Sequence, residues 1–321
     1  MLIKPQKPAF PRSREWFAAT ALLLCAFLAG CGERERAGED AKPEIALVMK
    51  SLANEFFQTM ADGARAHHAA SPDAYNLIVN GIRNETDIGQ QVNLVEQMVA
   101  RGVDAIVIAP ADSKALIPVL KRASDAGVLV VNIDNRLDAE SAQRAGLNAP
   151  FVGPDNREGA YGVGRVLAER LSPGDRVAII EGVPTAFNGQ QRRLGFEDAM
   201  REAGAEIVGV QAGNWEMERA NTIAAALLTT HRDLKAILCA NDSMALGAVA
   251  AKMAANRPDV MIVGFDNISA VRPMLVDGRI LATADQHADR LAVYGIEAAL
   301  DILGGEAEPV DRTTDVDIIT R

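Results

Sequence analysis

The sequence predicts an α/β protein of two doubly wound, Rossmann-like lobes. Three observations carry this reading. Short, almost wholly apolar runs alternate with stretches of helical periodicity. The runs end at residues 49, 79, 109 and 133 and again at 180, 210, 239 and 265, so two series advance with the same rhythm. The length, 321 residues, is that of two domains.

The first series of strands is IALVM (45–49), YNLIV (75–79), AIVIA (105–109) and VLVVNI (128–133); the second is RVAII (176–180), IVGV (207–210), AILC (236–239) and VMIVGF (260–265). Unbroken apolar strands of this kind fit a parallel sheet buried on both faces. Between strands, Ile88, Val92, Val95, Met98 and Val99 share one face of a helix over 87–101. Ala115, Leu116, Val119, Leu120 and Ala123 do the same over 112–126, with Asp87 and Asp112 as N-caps. Strand–helix alternation means right-handed crossovers and a doubly wound sheet in each lobe. Cys239 falls in an apolar strand and reads as a small core residue.

Residues 1–30 read as an address rather than as fold. Lys4, Lys7, Arg12 and Arg14 precede the apolar run Trp16 to Gly30, which is too short to span a membrane and fits a secretory signal. It ends Leu28-Ala29-Gly30-Cys31, which resembles the lipobox of bacterial lipoproteins and makes Cys31 the acylated N-terminus. Residues 31–43, polar and containing Gly and Pro, read as a flexible tether. An excess of 43 acidic over 33 basic residues argues against nucleic acid as partner. Three cysteines give no disulfide framework.

In open α/β sheets ligands bind beyond the carboxyl ends of the strands. Those ends are polar and aromatic here: Lys50, Asn54, Phe56 and Phe57 after the first strand; Asp134, Asn135 and Arg136 after the fourth; then Asn188 to Arg193, Trp215, Asn241, Asp266 and Gln286. Each Asn or Asp alone could be a helix cap, and Phe56 and Phe57 could be core. As a set, planar polar groups beside aromatic rings suit a polyhydroxylated ligand, because hydroxyls both donate and accept and sugar C–H faces pack on rings.

The segments KSLANEFF, VNIDNR, CANDSMALGAV and VMIVGFDN resemble those of the periplasmic sugar-binding proteins of ABC importers, of the ribose/allose/galactose type, over about residues 44–320. The resemblance implies the type I periplasmic binding fold with a three-crossing hinge near 152–155, 285–288 and 306–310. It divides the chain into one lobe of 44–153 plus 287–307 and a second of 154–286 plus 308–321. It also implies a sugar held by Lys50, Asn54, Phe56, Phe57, Asp134, Asn135, Arg192, Trp215, Asn241, Asp266 and Gln286, with Phe57 and Trp215 sandwiching the ring. Glu55, Asn135 and Gln190 depart from the family pattern and are expected to change how the pocket reads hydroxyls.

The expected function is capture of a small monosaccharide between the lobes and delivery to an inner-membrane ABC permease. The expected protein is a periplasmic, lipid-anchored monomer without catalysis, cofactor or metal, touching the membrane only through its anchor. Rival readings are a sensory binding protein for a polyol, feeding a chemoreceptor or histidine kinase, and a glycosidase using Asp134 and Asp266. A dinucleotide fingerprint fails, because GAYGVG (159–164) lies inside a helical pattern. His67 and His68 are adjacent and diverge on a helix, a poor metal pair.

Overall fold

The computed structural model describes residues 42–321. The signal peptide, Cys31 and nearly all of the tether lie outside the described residues.

The first half runs β1 (Glu44–Ser51), α1 (Glu55–Ala70), β2 (Asn76–Ile82), α2 (Ile88–Arg101), β3 (Ala105–Ile108), α3 (Ile117–Asp125), β4 (Leu129–Ile133), α4 (Ala139–Ala145) and β5 (Phe151–Pro154). These strands form one parallel sheet in the order β2-β1-β3-β4-β5. The second half runs α5 (Asn156–Ala168), β6 (Arg176–Glu181), α6 (Phe187–Glu202), β7 (Glu206–Ala212), α7 (Met217–Thr230), β8 (Leu234–Cys239), α8 (Asp242–Ala254) and β9 (Met261–Val263). A 3-10 turn (Ser269–Val271), α9 (Arg272–Asp277) and β10 (Thr283–Asp285) complete it. Its parallel strands take the order β7-β6-β8-β9, and a parallel bridge from Val263 to Ala282 brings β10 alongside β9. Both halves thus follow the flavodoxin-like order.

Apolar continuity explains the central strands. In β1, Ile45, Leu47 and Met49 feed one core cluster while Ala46 and Val48 feed the cluster on the opposite face with Val95, Ile106 and Leu120. The edge strands β2 and β7 are only half-buried. β2 extends three residues past the predicted end, because Asn80 and Gly81 continue the ladder opposite Val48 and Met49. The helix expected from 112 begins at Ile117 instead. Asp112 caps as expected, but it caps a turn: its carboxylate accepts from the amides of Lys114 and Ala115, and Pro118 then opens α3.

Two helices are exchanged between the halves. α5, which follows β5, packs on α6, and α10 (Ala288–Leu303), which follows β10, packs on α1 and β4. Gly63 permits the α1–α10 approach, since a Cβ there would lie 2.0 Å from the Asp289 carbonyl oxygen. The chain therefore passes between the sheets at 154–156 and 285–288. The third passage lies further along than 306–310. β11 (Arg312–Thr314) pairs in parallel with β5, on the first sheet, and β12 (Asp317–Ile319) pairs antiparallel with β10. Residues 308–321 are accordingly split between the two sheets and do not form part of one lobe, because 312–314 complete the first sheet's exposed edge.

Candidate ligand-binding site

The carboxyl ends of the strands surround a small cavity. It is lined by Lys50, Asn54, Phe56, Phe57, Glu85, Asp134, Asn188, Arg192, Trp215, Asn241, Asp266 and Gln286. The residues named from sequence are there with one exception, Asn135.

Two ion pairs cross the cavity wall. Lys50 Nζ lies 3.0 Å from Asp134 Oδ2, both side chains being 2% exposed. The Lys50 ammonium also stands over the Phe57 and Trp215 rings, 5.4 and 5.7 Å from their centroids. Arg192 lies 3.3 Å from Asp266 Oδ1, donates to Asn156 Oδ1 and the Ala240 carbonyl, and stacks 3.8 Å from the Phe265 ring centroid. Gln286 Nε2 donates to Asp266 Oδ1 at 2.7 Å. Burial pushes the Asp266 carboxyl up to about 7 against the pull of Arg192, with Asp134 pushing the same way as burial.

Helix starts place the amides. Asn54 caps α1, accepting from the Phe56 amide and donating to Glu85 Oε1. Asn241 caps α8 through the Met244 amide. Trp215 enters at φ +70, and its indole lies against Gly182, where a Cβ would meet the ring at 2.1 Å. Asp242, fully buried, fixes the loop that carries Asp266: its carboxylate accepts from the Ile268 amide and the Thr283 hydroxyl. Among the described residues, Trp215 Nε1 and Gln286 Oε1 are buried in the lining without a hydrogen-bond partner, while Asp134 Oδ2 has the Lys50 ammonium beside it. Such atoms require partners, and here they offer a donor and an acceptor to a guest.

Asn135 is a correction. It is fully buried but does not line the cavity. Its amide donates to the Pro110 carbonyl, and its oxygen accepts from the Asn188 amide, across to the second half. Glu55 and Gln190, expected to reshape the pocket, are likewise absent from its wall. Glu55 accepts from the Ser269 amide, and Gln190 donates to the Pro184 carbonyl. Two residues were missed. Asn188 lay inside a strand-end segment without being singled out. Glu85, 3% exposed, follows β2, the strand whose end was placed too early. Inspecting the residues beyond every strand end would have found it.

His67 and His68 both serve Tyr75, through its hydroxyl and its carbonyl. Among the described residues no cluster of His, Cys, Asp and Glu could hold a metal ion. GAYGVG lies within α5.

The periplasmic binding protein domain family matches residues 45–307. The chain is 54% identical over 314 residues to the D-ribose/D-allose-binding protein of Pseudomonas aeruginosa, covering 96% of this chain and 98% of that protein. An ABC transporter solute-binding protein from Burkholderia multivorans, with an unknown ligand interpreted as alpha-D-erythrofuranose, has a TM-score of 0.85 at 53% identity, covering 87% of this chain and 100% of its own. One from Actinobacillus succinogenes with bound D-allose has a TM-score of 0.81 at 37% identity, covering 87% and 98%. Twin parallel sheets, three passages between them and a cavity at the strand ends agree with these likenesses: the chain belongs to the periplasmic binding protein family and has the type I fold of ABC importer solute-binding proteins.

Proposed function

We propose that this protein captures a neutral monosaccharide of the ribose/allose kind in the periplasm and presents it to an ABC permease. The observation that carries the reading is the cavity itself. Phe57 and Trp215 offer ring faces beside carboxylates, amides, Lys50 and Arg192, with a buried acceptor on Gln286 and a buried donor on Trp215 left unpaired. A hydroxylated ring satisfies all of these at once, and a ligand lacking the hydroxyls leaves buried groups unpaired. The names and bound sugars of the relatives point the same way. The two carboxylates that a glycosidase would need each sit beside a cation, which suits hydroxyl binding rather than proton transfer.

The residues proposed to hold the sugar are Lys50, Asn54, Phe56, Phe57, Asp134, Arg192, Trp215, Asn241, Asp266 and Gln286. They come from both halves, so the ligand gains its full set of contacts only when the halves close on it and shifts the population to the closed form. Cys31 carries the lipid that keeps the monomer at the membrane. The test is a thermal-shift panel of aldoses and polyols against residues 32–321. Ligand at a hundred times its dissociation constant stabilises by about 2.7 kcal/mol. A shift with D-allose or D-ribose supports the reading, and no shift with any sugar overturns it.

A further inference from the structure

The cavity's charges do not pair completely. Lys50 meets Asp134 and Arg192 meets Asp266, but the third carboxylate, Glu85, forms no salt bridge among the described residues. Its hydrogen-bond partner is the neutral Asn54 amide, at 3.0 Å. Glu85 is 3% exposed and forms part of the cavity wall. A buried carboxylate without its own cation is costly unless donors surround it. Among the described residues the Asn54 amide is its one hydrogen-bond donor, and its place in the wall leaves the carboxylate within reach of what enters the cavity.

We infer that Glu85 is a specificity-determining ligand residue: it accepts a hydroxyl hydrogen bond from the captured sugar and, as the unmatched negative group of the cavity, selects neutral sugars over the corresponding sugar acids. The inference rests on the monosaccharide reading above. Four groups act on Glu85 from the elements around it: Lys50 from β1, Asn54 from the start of α1, Asp134 from the loop after β4 and Glu216 from the loop before α7. Burial dominates and pushes the Glu85 carboxyl up to about 7, while Lys50 and Asn54 oppose it and Asp134 and Glu216 reinforce it. A hydroxyl donor favours the ionised form, so affinity falls as pH drops below about 7. Asp266 titrates in the same range, and the difference between wild type and a Glu85 variant isolates the Glu85 part.

Calorimetric titration of wild type and Glu85→Gln with D-allose, D-ribose, D-allonate and D-ribonate at pH 6 and pH 8 tests this. At pH 8 the substitution is expected to weaken aldose binding by roughly tenfold or more, the scale of one charge-assisted hydrogen bond. Wild type loses affinity between pH 8 and pH 6, and the variant loses less. Aldonates bind wild type by at least roughly tenfold more weakly than aldoses, and the gap narrows in the variant. Wild-type affinity and an unchanged pH slope in Glu85→Gln, while Trp215→Ala abolishes binding, overturn the role of Glu85 alone. A flat wild-type pH profile overturns it without any variant. Wild type that binds none of the aldoses overturns the monosaccharide reading and this inference together.

Discussion

Among the described residues seven non-glycine residues adopt positive φ, and six of them, Asp134, Asn214, Trp215, Asp266, Asn267 and His287, sit at the strand ends beside the cavity or next to a residue that lines it. Each such conformation costs on the order of 1–3 kcal/mol and persists only where its surroundings impose it. Here the gain is direction: Asp134, Trp215 and Asp266 are turned into the cavity. The strain is legible in sequence only as Asn and Asp at turns, and the direction not at all. Gly182 shows the same limit. It lies behind the indole, and adding one methyl there pushes the Trp215 ring off its seat. Gly182→Ala is therefore expected to weaken sugar binding by about tenfold or more with the fold retained, a loss comparable to a displaced aromatic contact. Trp215 is the sole tryptophan after residue 16, so intrinsic fluorescence of residues 32–321 reads both the displacement and the titration. Unaltered emission and affinity would contradict the seating. Asp266→Ala removes the partner of Arg192 and of Gln286 and is expected to cost at least about 2 kcal/mol of binding, read by calorimetry. A loss below a few tenths of a kcal/mol would place the hydroxyl contacts elsewhere.

At the scale of elements, the halves meet through helix starts. α6 has Ala186, without a capping side chain, at its N-cap, and within its own half Asn188 Oδ1 accepts only from the Gly189 amide. Its first amides are instead served from the first half: Phe187 donates to Ser113 Oγ at 2.8 Å and Asn188 to Asn135 Oδ1 at 3.1 Å. The 3-10 turn before α9 is served in the same way, Ser269 donating to Glu55 of α1. Capping is worth about 1 kcal/mol per site, and here it is available only while the halves are together. Replacing Ser113 and Asn135 with alanine is therefore expected to shift ligand-free protein towards an open form, raising its radius of gyration in small-angle scattering. It should also weaken sugar binding by roughly five- to thirtyfold, although neither residue touches the cavity. Equal scattering and equal affinity would show that these caps do not govern closure. Periodicity made eight strands and the paired rhythm legible, because burial on both faces writes continuous apolar runs in the inner strands and the half-buried edge strands β2 and β7 still carry short apolar runs. It could not show that Asn135 and Glu55 serve the other half, because a cap supplied across a seam leaves no local spacing. Nor could it show that 312–314 join the first sheet, because a three-residue edge strand, RTT, carries no apolar pattern.

At the scale of the whole molecule, acidity ties the cavity to the stability of the fold. Glu85 and Asp266, buried in the cavity wall, are pushed up to about 7, and Asp242 is raised in the same direction, burial being the largest cause for each. In the unfolded chain the same carboxyls titrate near 4. Between about 4 and about 7 the folded, ligand-free protein thus holds more protons than the unfolded chain, and stability falls as pH rises through that window. The surface carboxylates act elsewhere. Asp73, Asp198, Asp259 and Asp277 are lowered by hydrogen bonds from Lys42, Arg157, Arg257 and Arg279, so their contribution is in place above about 4 and is lost only on stronger acidification. The Tm of ligand-free protein is therefore expected to fall between pH 5 and pH 7.5. A sugar whose hydroxyls donate to Glu85 and Asp266 stabilises their ionised forms and recovers what the empty cavity loses, so the shift produced by saturating D-allose grows over the same range. Asp266→Asn flattens both slopes in part. Thermal melting with and without D-allose at four pH values from 5 to 8 measures this. A ligand-free Tm that rises through the window, together with a ligand shift that does not change with pH, would mean that the cavity carboxyls are already ionised in the empty protein, held by Lys50 and Arg192 more strongly than burial opposes them.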